Sequence, residues 1–132
     1  MTTEKLNPTP AMIALRSFFQ ENGIETKIYV GSFPTKAGDE YIRLMANGNI
    51  RDFNMYAVQV VLLSISVKNL SDGTQNIPKL TALFNRIAEL LNPSVELEGY
   101  IFQIRKGGAV SETSSFHSGY TTKSINLQVF IY

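Results

Sequence analysis

Apolar and polar positions along this chain repeat with two periods, and each period marks out elements. Met12, Leu15, Phe18 and Phe19, with Ile13 beside them, recur at helical spacing and predict a first helix over about residues 10–22. Thr9 is placed to cap it, Pro10 fits its first position, and Asn22-Gly23 is a stop signal. Leu80, Leu83, Phe84, Ile87, Leu90 and Leu91 form a stripe at spacings of three and four, predicting a second helix from Pro78 to Asn92-Pro93. Elsewhere the period is two. Strands are expected at 24–30, 41–45, 56–67, 100–105 and 121–132, with 95–98 a short lead-in to the fourth.

The stretch 56–67 is the strongest of these. Ala57, Val61, Leu63, Ile65 and Val67 share one face, broken only by Gln59, while Val58, Val60 and Leu62 occupy the other and give way to Ser64 and Ser66. Apolar residues on both faces put a strand in the middle of a sheet. Its first half is expected to be covered on both sides and its second half to be half solvated. In the closing strand, Ile125, Leu127, Val129 and Ile131 are expected to face inward and Asn126, Gln128, Phe130 and Tyr132 outward.

Residues 1–8 read as a loose lead-in to a single domain spanning 1–132. The order is thus α-β-β-β-α-β-β. It fits an α+β fold, a mostly antiparallel sheet with both helices packed on one face. The other face, with Phe130, Tyr132, Val58 and Val60, is too apolar to stay fully wet and is a candidate contact surface. Three connections are long for so small a chain: 31–40, 46–55 and 107–119. Long ordered loops in small domains commonly carry function. The second of them, with its Asn47-Gly48-Asn49 turn, reads as a polar loop or the tip of a long hairpin.

Composition mostly excludes. In 132 residues, 12 Lys and Arg stand against 11 Asp and Glu, for a net charge of +1, and 44% of residues are hydrophobic. That balance is wrong for whole-chain disorder and for a basic nucleic-acid stripe. The absence of cysteine removes disulfides, thiolate zinc sites and a cysteine nucleophile, and one histidine rules out a multi-histidine metal site within the chain. The opening MTTEKLNPTP has no apolar core and does not read as a secretory leader, and the longest uncharged apolar stretch is too short to span a membrane.

Candidate chemistry is sparse. His117 lies among serines near Glu112, but no GxSxG elbow accompanies it, and a polar loop is the simpler reading. Glu96 and Glu98 alternate onto one face without a second polar group to work with, and read as a solvated strand edge. Gly107-Gly108 lacks the lysine and helix of a phosphate loop, and Arg105-Lys106 alone is a weak phosphate signal. No cofactor and no metal is expected.

Four segments carry a resemblance: the opening helix PTPAMIALRSFFQENG, the middle strand MYAVQVVLLSISVKN, the helix IPKLTALFNRIAELLN and the closing strand TTKSINLQVFIY. In pattern, size and order, over nearly the whole chain, the sequence resembles the tail terminator (tail completion) proteins of long-tailed bacteriophages. The resemblance implies a structural virion protein with no enzymatic activity. Such a protein is made in the host bacterial cytoplasm and placed at the head-proximal end of the tail. It implies a ring of the chain with itself, a hexamer, that stops growth of the tail tube. The implied partners are the tail tube protein and the head connector or stopper. DNA only passes through the lumen, and no membrane is involved.

The family has no catalytic motif to transfer, so the contact candidates come from this sequence. They are Arg43, Arg51, Asp52, Phe53, Lys106, Phe116 and Tyr120 in and beside the loops, with the outward Phe130 and Tyr132. Arginines and aromatics are the usual anchors of protein interfaces. Competing readings are another neck or tail-tube component, a small ligand-binding α+β module built around an apolar pocket, and an enzyme centred on His117.

Overall fold

The apolar run in the middle of the chain becomes the centre of the sheet. In the computed structural model, which describes residues 6–32, 38–105, 111–114 (backbone alone) and 119–132, it forms the 12-residue strand β4, Ala57–Lys68. Before it come helix α1 (Thr9–Glu21) and strands β1 (Ile28–Val30), β2 (Glu40–Ala46) and β3 (Arg51–Asp52). After it come helix α2 (Ile77–Leu91) and strands β5 (Val95–Leu97), β6 (Tyr100–Ile104), β7 (Ser111–Ser114) and β8 (Tyr120–Ile131).

All strands belong to one sheet of order β1-β2-β4-β8-β6-β5, with β3 also beside β4 and β7 also beside β8. Every pairing is antiparallel except β1 with β2. The α+β class and the mostly antiparallel sheet are therefore as the periodicity predicts. The strand count is not. β3 lies inside the expected loop 46–55 and β7 inside the expected loop 107–119, so four strands stand on each side of α2 in the chain. Both additions are polar: Arg-Asp, and Ser-Glu-Thr-Ser. Apolar alternation is blind to such strands, which exist because β4 and β8 outrun their neighbours β2 and β6 and offer unpaired backbone at one end.

Local signals fare unevenly. Asn76 accepts the Lys79 N–H and caps α2, with Pro78 in its first turn. At α1, the expected cap Thr9 is already helical, Pro8 holds the cap position, and the Thr9 N–H is taken by the Asn7 side chain at 3.1 Å. Gly23 ends α1 at φ +86°, a conformation that glycine adopts without strain. A Cβ there would also lie 2.6 Å from an Arg86 guanidinium nitrogen. The strand expected over 24–30 is shortened to Ile28–Val30, because pairing with β2 begins only at Ile28. Ile24 is buried all the same.

The odd-numbered apolar residues of β4 meet Ile125, Leu127, Val129 and Ile131 of β8 in one buried cluster. Ala11, Met12, Leu15 and Phe19 of α1, and Leu80, Ile87 and Leu91 of α2, belong to the same cluster. α1 lies against β1 and β2, and α2 against β4, β6 and β8. Gln59 sits on this buried side only 2% exposed, donating to the Gly48 carbonyl at 3.1 Å and the Val60 carbonyl at 2.9 Å. On the open face of the second half of β4, expected to be half solvated, Ser64 is partly exposed and Lys68 exposed, but Ser66 is not. Ser66 is buried, because its hydroxyl pairs across the strands with that of Thr122 at 2.7 Å beneath Tyr41.

A buried residue of β4 and an exposed residue of α1 give a first test. Leu63→Ala removes a fully buried side chain and should cost about 2–5 kcal/mol in denaturant unfolding. Ile13→Ala, on the exposed side of α1, should stay within about 0.5 kcal/mol.

Candidate interaction site

The face of the sheet away from the core is built in three bands. They follow from the register, because directly paired residues point to the same side. At one end Tyr41 packs edge-on against Tyr29 and Tyr120, with ring centroids 6.2 and 5.8 Å apart. Tyr120 donates its hydroxyl to the Gly38 carbonyl at 2.6 Å, and Arg43 donates to the Gly31 carbonyl at 3.1 Å. Both candidates thus hold the chain around β1 and β2 in place. Burial lowers the Arg43 pKa and raises that of Tyr120, which the nearby Tyr41 and Asp39 raise further.

The middle band is polar and satisfies itself. The Ser64 and Ser124 hydroxyls lie 3.0 Å apart, Ser66 pairs with Thr122, and the Asn47 amide donates to Asn126 at 3.0 Å. Cross-strand pairs of this kind stabilise a sheet and aim no donor at a ligand.

The third band carries the exposed apolar surface. Its source is the turn that joins β3 to β4. Asp52 accepts the Asn54 N–H at 2.7 Å, Asn54 takes φ 70°, and Phe53 N–H donates to the Tyr56 carbonyl at 2.9 Å. An Asp two residues before a left-handed Asn is turn chemistry. Its effect is to stack Phe53 on Tyr56, centroids 5.2 Å apart, with the Arg51 guanidinium 5.3 Å from the Phe53 ring. Tyr56 in turn leans on Phe130 at 6.3 Å. Met55, at the apex, is 82% exposed, and Phe53, Tyr56 and Tyr132 are each about two-fifths exposed or more. The same end continues across the sheet: Arg51 pairs with Val58, Val58 with Phe130, Phe130 with Ile101, and Ile101 with Glu96. Tyr132 donates its hydroxyl to Glu96 at 3.3 Å, and its pKa is raised by desolvation and by the Glu96 charge.

Five sequence candidates therefore gather at one end: Arg51, Asp52, Phe53, Phe130 and Tyr132. Arg43 and Tyr120 lie at the opposite end of the same face, and Lys106, Phe116 and His117 lie outside the described residues. Val58, expected on the open surface, is only 8% exposed. Met55, Tyr56 and Glu96 were not among the candidates. Met55 and Tyr56 follow Asn54 in a stretch whose tight turn is marked only by Asp52 and Asn54, without glycine or proline. Glu96 lies on the edge strand β5 as its edge reading expects, but Glu98 is in the turn to β6, because the strand ends at Leu97.

The clefts are of a different kind. One of about 620 Å³ between α2 and residues 23–26 is lined in part by Thr26, Glu40, Lys79 and Arg86. There Thr26 donates to Glu40 at 2.6 Å, Lys79 pairs with Glu40 at 3.7 Å and Arg86 donates to the Asn22 carbonyl at 3.4 Å, so these groups are engaged within the chain. Among the described residues no group of three or more His, Cys, Asp or Glu is placed to hold a metal, and no helix is long and apolar enough to cross a membrane.

The Tyr120 anchor makes an alkaline prediction. The fold favours its neutral phenol, whose pKa lies above the ordinary value of about 10. Its contribution is then complete below that ordinary value and is lost as pH rises through the raised one. Tyr120→Phe should remove one late-titrating phenol from an ultraviolet titration and make alkaline unfolding less steep. In comparisons with known proteins, no protein-family model matches this chain and no curated protein is detectably similar to it.

Proposed function

We propose that this chain is a structural assembly protein of the tail terminator kind. It would close into a ring, a hexamer by resemblance, at the head-proximal end of a long phage tail, where it ends tube growth and meets the head connector. The observation that carries this proposal is the hairpin end of the sheet, where Arg51, Phe53, Met55 and Tyr56 stand exposed beside Phe130 and Tyr132. Exposed aromatics and arginine clustered on a short rigid turn are the composition of an interface core.

The arrangement of layers supports the same reading. Taking α1 and α2 as covering one face, the other face and both edges of the sheet are, among the described residues, left for contact. The near-neutral charge suits a channel that lets DNA pass without holding it. In the cleft beside α2, Thr26, Glu40 and Lys79 pair with one another, which favours assembly over small-ligand binding.

The test is native mass spectrometry across a wide concentration range, with negative-stain images of the largest species. The expected result is a closed six-subunit ring with a central hole. Open filaments would instead support a tail-tube component. Arg51→Ala combined with Phe53→Ala should abolish ring formation and tail joining while leaving the melting temperature within a few degrees. Unchanged rings and unchanged joining would remove this end of the sheet from the interface.

A further inference from the structure

The band at the hairpin end has two free edges, and they differ in charge. Among the described residues β3 pairs only with β4, and β5 only with β6. At this end the strands run in the order β3-β4-β8-β6-β5, so β3 and β5 close the two opposite sides. The register row that crosses them begins with Arg51 and ends with Glu96, both on the face away from the core and both exposed.

We infer that β5 of one copy pairs with β3 of the next, setting Glu96 against Arg51 of the neighbour. The occupant of each edge is thus a second copy of this chain. This rests on the assembly reading above and specifies its contact.

Strand direction permits the join. Four successive antiparallel pairings separate β3 from β5, so the two run the same way. A neighbour that continues the sheet in the same orientation therefore meets β5 with a parallel β3. The backbone is available as well. The Phe53 N–H bond to the Tyr56 carbonyl makes Asp52 and Ala57 a widely spaced pair, which turns the Asp52 N–H and C=O outward. On β5, Leu97 and Tyr100 close a two-residue turn as a bonded pair, so the alternate residue Glu96 turns its own N–H and C=O outward. In a parallel ladder a residue bonds to the residues flanking its partner. Glu96 bonded to the N–H of Asp52 is therefore level with Arg51.

Charge disfavours the alternatives. A two-fold contact of either edge with itself sets Glu96 near Glu96, or Arg51 near Arg51, and like charges directly opposed are unfavourable. An edge meeting its unlike counterpart is a head-to-tail interface, which generates rings when the rotation closes. The aromatic turn then lies beside the joint, where Phe53, Met55 and Tyr56 would be covered.

The absence of native cysteine makes a direct test possible. Within one chain, positions 51 and 96 lie four strand spacings apart, about 19 Å, too far for a disulfide. Across the inferred joint they are one spacing apart, within disulfide reach. Arg51→Cys and Glu96→Cys together, under mild oxidation, should give a covalent ladder on non-reducing gels. Each single variant should stay monomeric there, and an equimolar mixture of the two should stop at dimer. Charge reversal is the second measurement. Arg51→Glu or Glu96→Arg alone should weaken association about tenfold or more, and the two combined should restore it.

Dimerisation of a single cysteine variant overturns the inference, because an edge would then be meeting itself. So does the absence of a ladder when the unmodified protein forms rings, and in that case the assembly reading survives. A ladder accompanied by open filaments supports the joint and removes the ring. No ladder and no association at any concentration overturns both.

Discussion

The rest of the molecule is built on the antiparallel pairing of β4 with β8, which runs the whole length of both strands. It is the longest ladder in the fold and joins segments more than fifty residues apart. Its closure is costly in chain entropy and is offset by a mostly apolar inner row on each strand. Once formed, it sets where everything else can attach. β2 and β3 share the outer side of β4, and β6 and β7 share the outer side of β8. Both helices contribute their buried residues to the cluster on its inner side.

The projecting turn owes its position to a polar residue in the wrong-looking place. Gln59 interrupts an otherwise apolar row, and a buried amide must find partners. It finds them in the carbonyls of Gly48 and Val60, while the Asn47 N–H also bonds the Val60 carbonyl at 2.8 Å. These bonds hold the break between β2 and β3 against β4. The chain therefore returns to the sheet at Arg51, and the aromatic turn beyond it has a fixed base. A surface that presents large apolar side chains at the end of such a base loses little entropy when a partner covers it, which distinguishes it from a floppy apolar tip.

The hydroxyl pairs across the middle of the open face have the opposite character. They are mutually satisfied and small, and they separate an aromatic cluster that binds the chain to itself from one that stands in solvent. The two aromatic ends look alike in composition. What separates them is whether backbone from another segment arrives to cover them: the chain at Gly38 reaches Tyr120, and among the described residues no hydrogen bond from a distant backbone group reaches the Phe53–Tyr56 stack.

Both helices, the two longest strands and the inward residues of β8 were legible in the sequence, because each depends on a local repeat of apolar side chains that burial rewards directly. So were the end of α1 at Gly23 and the opening of α2 near Pro78, which depend on the backbone preferences of single residues. The polar strands β3 and β7 were not legible, since they are held by backbone pairing to strands distant in sequence. Nor was the burial of Ser66, which needs Thr122 and Tyr41 beside it. Arg51 and Phe53 stood out in the sequence because arginines and aromatics are the residue types that interfaces favour, and the structure places both at one exposed turn. That Arg51 and Glu96 stand at the two ends of one row, on one face and on opposite free edges, was decided only by the tertiary structure. A row across a sheet is made of residues whose separation in sequence says nothing about their register.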